Sequence, residues 1–299
     1  MKKYHAKELA DAIKLELIGE DCLVSSVGTI KKFYEGSLIF LNKYNEDYLR
    51  KINNAENVFV IAHNEYYGKL TCAYVIADNP RLSFLRLVNR FFYQSKNEGI
   101  HPTAIISKNA RIGRNVQIGA YSILDGDISI GDNTKIGAHV SIFGKVTLGH
   151  DCWIKSGAVI GEEGFGFERN EKGQLEHFPH IGEIIIGNNV FLGANSTIER
   201  GTIDATIIND GVAVDDLTQI GHNVVLGKNT TVACGAVLCG GVILGENCSV
   251  APNVSVKQKL TVGDNCLLGL GTVCLKNIPS DKTIIGNPGR ELKKSKIED

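Results

Sequence analysis

A mainly β fold is predicted, in which a small α/β domain precedes a long parallel β-helix. Two observations carry this reading. First, one register is aliphatic at every sixth residue, from Ile106 through Ile112, Ile118, Leu124, Ile130, Ile136, Ile142, Leu148 and Ile154 to Ile160. It resumes at Ile186, Leu192 and Ile198, and again from Ile208 through Val214, Ile220, Leu226, Val232 and Leu238 to Leu268. A period of six fits neither a helix nor plain alternation; it fits short strands forming the flat sides of a coil. Second, Gly, Asn or Asp follows the aliphatic residue, as in RIGRN, SIGDN, TLGHD and IIGNN. These residues tolerate the positive φ of tight corners.

Three sides per turn make a coil of eighteen residues, with coils stacked roughly 4.8 Å apart at the ordinary strand spacing. Residues i and i+18 then share a face. The period excludes a heptad coiled coil, and the lack of a long apolar run excludes a transmembrane helix. A solenoid without a site is the plain alternative, and the breaks in the repeat argue against it.

Residues 1–99 differ in kind. HAKELADAIKLEL reads as an amphipathic helix with Leu9, Ala10 and Ile13 on one face. SLIFLN, NVFVIA and AYVIA read as strands, and NPRLSFLRLVNRFFYQ as a helix opened by Asn79 and Pro80. The solenoid spans 100–290, with an insertion at 164–183, and a polar tail follows at 291–299. The insertion carries Phe165, Phe167 and Phe178, which suits a lid or wall over a neighbouring face. A second break adds four residues between Ile198 and Ile208, and the repeat closes at IIGNPGR.

The chain has 299 residues and a formal net charge of −1, with no basic block, so nucleic acid is an unsuitable main partner. Its eight cysteines include no CxxC pair and read as reduced, space-filling thiols. The first residues lack the apolar core of a signal peptide. A cytoplasmic location without a membrane span is expected.

The chemistry concentrates at VDDLTQIGHNV. His222 stands two residues after the inward Ile220, at a corner. Eighteen residues on is Gly240, which the coil arithmetic places beside His222. A base next to an open backbone N–H is the minimum equipment for acyl transfer: one takes a proton and the other binds the oxyanion. Asp215 and Asp216 lie upstream on the same coil, where either can orient an imidazole, and Gln219 and Asn223 flank it. A solvated corner histidine is the plain reading. No metal-ligand set is expected.

The chain resembles the UDP-3-O-acylglucosamine N-acyltransferases of lipid A biosynthesis. The resemblance covers nearly its whole length. It rests on GSLIFLNKY, DNPRLSF, VIGEEGFGF, HFPHIGEIIIGNNVFLGANSTIERGTIDATII and DDLTQIGHNVVLG. It implies a left-handed β-helix, a homotrimer with active sites between subunits, and a uridine-binding N-terminal domain. It further implies His222 as general base, Asp215 as its supporting carboxylate and the Gly240 N–H as oxyanion donor. Uridine contacts fall on Phe40, Asn42 and Tyr44. Phe165, Phe167, Gln219, Asn223 and Asp216 are expected around the sugar.

Two departures bear on the donor. Lys259 stands where the family carries a second histidine, and the chain ends soon after IIGNPGR. That histidine is tied to the donor side, so Lys259 is a candidate donor contact. The ending, which resembles the closing loop of coenzyme A-dependent hexapeptide acetyltransferases, implies donor contacts at Gly286, Asn287, Pro288 and Arg290. A plain turn is the alternative for the last four. The expectation is N-acyl transfer from a thioester to the amine of a nucleotide-linked amino sugar. A short acyl-coenzyme A donor is placed ahead of a long 3-hydroxyacyl carrier protein, with no permanently bound cofactor. His177 and His180 are candidate phosphate contacts, with a solvated loop histidine the plainer reading of each. A non-catalytic sugar-nucleotide scaffold and a zinc carbonic anhydrase-like solenoid are the alternatives of other classes. The latter needs three converging histidines, and His222 has no partner at i+5.

Overall fold

The computed structural model describes residues 2–93 and 99–291. The chain divides into two compact units, Met1–Lys96 and Asn97–Asp299. Of the tail expected at 291–299, residues 292–299 lie outside the described residues.

The first unit is built on four parallel strands, Ser26–Val27, Ser37–Leu41, Phe59–Ala62 and Ala73–Ile76, in that spatial order. Phe59 and Ile61 enter one apolar cluster, and Val60 and Ala62 the other. The strand is therefore buried on both faces, which is why its sequence is continuously apolar rather than alternating. The first helix forms over Ala6–Ala12 and buries Ala6, Leu9 and Ala10. The helix at NPRLSF starts at Pro80, and Asn79 caps it by accepting the Leu82 N–H. Its regular part ends at Leu87, and a wider turn follows over Val88–Phe92. A further helix, Glu46–Asn53, has no counterpart in the sequence reading. It is short and mostly charged and buries only Ile52, with Leu49 half-buried beside it, so its apolar face is one turn long.

The second unit is a left-handed parallel β-helix. The six-residue register points inward: Leu124, Ile142, Ile160, Ile198, Ile220, Leu238 and Val256 are buried. Regular coils stack at eighteen residues, with Ile220 beside Leu238 and Leu238 beside Val256. Ile160 stacks on Ile198, a coil lengthened by the insertion 164–183, and Ile198 stacks on Ile220, a coil lengthened by four residues. Both breaks therefore leave the register intact.

Corners follow two rules. Three residues after the inward position, Asn115, Asn133, Asn189, Asn195, Asn223, Asn229, Asn247, Asn253 and Asn265 adopt φ between +54° and +59°. Asn is the side chain best suited to that region after glycine. One residue earlier, the backbone N–H is often capped by the side chain one coil on: Arg114 by Asp132, Ala138 by Ser156, Ala194 by Asp216 and Glu246 by Asp264.

All eight cysteines are free. Cys152, Cys248 and Cys266 occupy the corner position that Ser122, Thr134 and Thr230 hold in other coils, and each donates to a carbonyl one coil on, as those hydroxyls do. Burial pushes the Cys274 thiol up to about 11 and that of Cys72 up to about 12.

Truncating an inward residue leaves a cavity that rigid coils cannot fill. Ile142→Ala should therefore cost about 2–5 kcal/mol in urea unfolding. The corner caps also set an acid limit. The Arg114 backbone N–H, then its guanidinium, holds the Asp132 carboxyl below 3.8, and the Lys155 ammonium, then the Ala194 N–H, does the same for Asp216. A carboxyl with a depressed folded pKa contributes stability that is present above 3.8 and lost as pH falls below it. The melting temperature should drop across that range, and Asp216→Asn should flatten the drop.

Candidate active site

His222 follows the strand Gln219–Ile220 at a half-buried corner. The side chain that would cap its N–H is missing, because the residue one coil on is Gly240. Glu199 takes that place, accepting the His222 N–H on Oε2 at 3.0 Å. The other Glu199 oxygen accepts from Gln219 Nε2 at 2.7 Å.

The imidazole Nδ1 lies 3.0 Å from Asn223 Oδ1. That oxygen already accepts from the Thr202 N–H and the Thr202 hydroxyl, each at 3.0 Å. An acceptor facing Nδ1 requires the proton on Nδ1, which leaves a bare lone pair on Nε2. The ring lies over Gly240, where an added Cβ would fall onto His222 Nε2 and Cε1. A side chain at this position would push the imidazole aside. The neighbouring N–H groups are engaged, Cys239 with Val256 O at 3.1 Å and Gly241 with His222 O at 2.8 Å. The Gly240 N–H has no protein acceptor among the described residues.

The inserted loop leaves from this site and returns to it. A Cβ on Gly164 would stand 2.5 Å from Glu199 Oε2 and 3.1 Å from His222 Cδ2. At the other end the His180 ring packs edge-on against His222, with centroids 5.0 Å apart at 74°. Glu163 Oε2 accepts the His180 N–H at 3.0 Å, a bond that holds the Glu163 carboxyl below its ordinary value. Burial, then the adjacent His222, lowers the His180 pKa. His180 is thus buried, not the solvated loop residue read from sequence. His177, Glu163 and His180 bring one ligating atom each within 4.8 Å of one another.

Several expected residues fall elsewhere. Asp215 is exposed beyond the strand Ala213–Val214, on a different face from Gln219–Ile220, and makes no side-chain contact with His222 among the described residues. Within one chain the group at Nδ1 is Asn223, not Asp215. Asp216 is committed to Lys155 at 2.7 Å and to the Ala194 N–H at 2.7 Å, so it is a corner cap and not a free ligand group. Gln219 is held between Glu199 and Thr197. Phe165 and Phe167, on the outgoing leg near the loop base, pack on each other at 5.1 Å but stay exposed, so this aromatic pair forms no buried wall against its own solenoid.

Lys259 lies one coil beyond Gly241 and donates its N–H to Gly240 O at 3.0 Å. It holds φ +59° where most corners carry Asn, and its side chain is exposed. Gly286, Asn287, Pro288 and Arg290 belong to an antiparallel turn that pairs Ile285 with Arg290 and closes the solenoid. Val273 is three coils past Gln219, and the Gly289 N–H donates to Val273 O from the next layer, which puts this turn about four coils, or roughly 19 Å, past His222. In the first unit, Phe40, Asn42 and Tyr44 line one largely apolar cavity of about 600 Å³ with Ile30 and Tyr48. It opens at the carboxyl end of Ser37–Leu41, where open parallel sheets take ligands.

The described solenoid matches two repeat models. The bacterial transferase hexapeptide (six repeats) covers 109–144, and the hexapeptide repeat of succinyl-transferase covers 127–162, 183–215, 218–258 and 259–278. A UDP-3-O-acylglucosamine N-acyltransferase of Coxiella burnetii is 35% identical over 237 residues, which cover 73% of this chain and 69% of the relative. The chain belongs to the UDP-3-O-acylglucosamine N-acyltransferase family. It is an N-acyltransferase. A family member of Methylacidiphilum infernorum is 35% identical over 241 residues, 74% of this chain and 68% of its own. Among solved structures, LpxA from Acinetobacter baumannii superposes with a TM-score of 0.59 at 27% identity, over 64% of this chain and 73% of that one. LpxA of Bacteroides fragilis, a UDP-N-acetylglucosamine acyltransferase, gives 0.56 at 28%, over the same shares. The relatives' names favour the acylglucosamine reading over the short-donor reading that the sequence placed first. They lend nothing to a scaffold or a carbonic anhydrase.

Glu199, Thr202 and Glu163 were not singled out from sequence, although the first two lie in the quoted IERGT stretch. The tautomer is directly testable. Long-range proton–nitrogen spectra of the full-length protein should show His222 with its proton on Nδ1, and Asn223→Ala should mix the tautomers.

Proposed function

We propose that the protein acylates the amine of UDP-3-O-acylglucosamine from an acyl thioester, with a 3-hydroxyacyl carrier protein as the donor. The reading is carried by one observation: an imidazole with a bare Nε2 lies over a backbone N–H that has no protein acceptor. The relatives' names supply the sugar.

In the proposed reaction the neutral amine attacks the thioester carbonyl carbon. His222 Nε2 takes the amine proton as the C–N bond forms, and the Gly240 N–H binds the oxyanion. When the intermediate collapses, the C–S bond breaks and the imidazolium returns the proton to the leaving thiolate. Asn223, held by Thr202, keeps the imidazole in the tautomer this needs. Glu199 fixes the backbone beneath it.

Asp215 lies on another face from His222 within the chain, and Asn223 already occupies Nδ1, so the imidazole leaves no position for Asp215. We infer a homotrimer with the site between subunits, as the resemblance implies. The cavity at Phe40, Asn42 and Tyr44 takes the uracil end of the substrate, and Lys259, beside Gly240, takes the donor phosphate that both coenzyme A and carrier protein present. Because both donors present that phosphate, the exposed Lys259 ammonium accommodates either, and an acyl-coenzyme A donor is the second reading.

Incubating the purified protein with UDP-3-O-acylglucosamine and either donor, and weighing the product, decides between them. The account expects an amide product from the carrier-protein donor. It expects His222→Ala to lower turnover by about 10²–10⁴-fold. Full activity of that variant would remove the mechanism, and product only from acetyl-coenzyme A would reverse the order of the donors.

A further inference from the structure

The two legs of the inserted loop bring three ligating side chains together at its base. Glu163 stands just before the loop, His177 on its returning strand Leu175–His177, and His180 three residues later. One carboxylate oxygen and one ring nitrogen of each histidine lie within 4.8 Å of one another. Glu163 Oε2 and His177 Nε2 are 3.3 Å apart. Two donors bound at about 2.0–2.1 Å across a tetrahedral angle are separated by about 3.3 Å.

An independent feature points to a ligand. His180 is 1% exposed, and its Nε2 has no partner. Its Nδ1 lies 3.1 Å from the Phe178 carbonyl oxygen, so Nδ1 carries the hydrogen and Nε2 keeps a lone pair. A buried lone pair without a partner is costly. One ring nitrogen donating to a backbone carbonyl while the other stays bare is the arrangement metal-binding histidines adopt.

We propose that Glu163, His177 and His180 bind one divalent transition-metal ion of the zinc class. Two imidazoles and one carboxylate suit such an ion better than magnesium or calcium, which prefer oxygen. Glu163 and His177 are exposed, so the ion has a path in and keeps a position for water. It ties the outgoing leg of the loop to the returning leg. Because His180 packs on His222, it also orders the loop against that ring. The proposal is independent of which donor the enzyme uses.

The test uses the untagged full-length protein, stripped with a chelator and titrated with cobalt chloride by visible absorption and with zinc chloride by calorimetry. One ion per chain is expected, and zinc should slow amide exchange across 164–180. His177→Ala and Glu163→Gln should each weaken binding at least tenfold. His177 is exposed, and the glutamine keeps an oxygen for the His180 N–H, so circular dichroism should show both variants folded. Three results would overturn the proposal: no saturable binding by the wild type, unchanged affinity in both variants, or saturable binding without slower exchange in the loop.

Discussion

The backbone hydrogen bonds between successive coils, locked in register by one inward aliphatic residue per side, are what everything else in the solenoid depends on. No coil has a core of its own. Each buries its face only against the coils above and below, so the eighteen-residue offset is a condition of stability. Where residues are added, at 164–183 and before Ile208, they are extruded at corners, and Ile160, Ile198 and Ile220 still stack. A one-residue slip would turn the inward ladder outward.

The proposed site is a place where the corner rules are broken under that constraint. At ordinary corners an Asp, Asn or Ser one coil on caps the backbone N–H. At His222 that side chain is absent because Gly240 must admit the imidazole. Leaving a buried N–H unmet costs about 1–3 kcal/mol, and Glu199, reaching from the lengthened coil before, offsets this. Gly240 in turn has an N–H that nothing in the described chain accepts. The loop is anchored at the same spot through Gly164 and His180. Its departure from the solenoid and the position of the base are therefore one structural problem with one solution.

The period was legible because one side chain per six decides inward from outward, and no partner needs to be known. The same arithmetic placed Gly240 beside His222 and counted the extra residues in both insertions. Side-chain partners were not legible in that way. Asp215 and Asp216 look equivalent in the sequence, yet one is an exposed corner residue and the other is tied to Lys155 and Ala194. Asn223 was expected around the sugar, and its role at Nδ1 depends on Thr202, which the four-residue break brings in. The helix Glu46–Asn53 escaped because it buries a single side chain. His180 escaped because a polar, aromatic insertion gives no sign of which residue turns inward.

The central claim is that His222 and Gly240 act together on one tetrahedral intermediate. It is tested most directly by single-turnover transfer rates for Gly240→Ala, His222→Ala and the pair. Groups that serve one intermediate show strongly non-additive losses. The account predicts that the double variant is no more than a few-fold slower than the worse single one. Losses that multiply, or a Gly240→Ala enzyme at the wild-type rate, would contradict it.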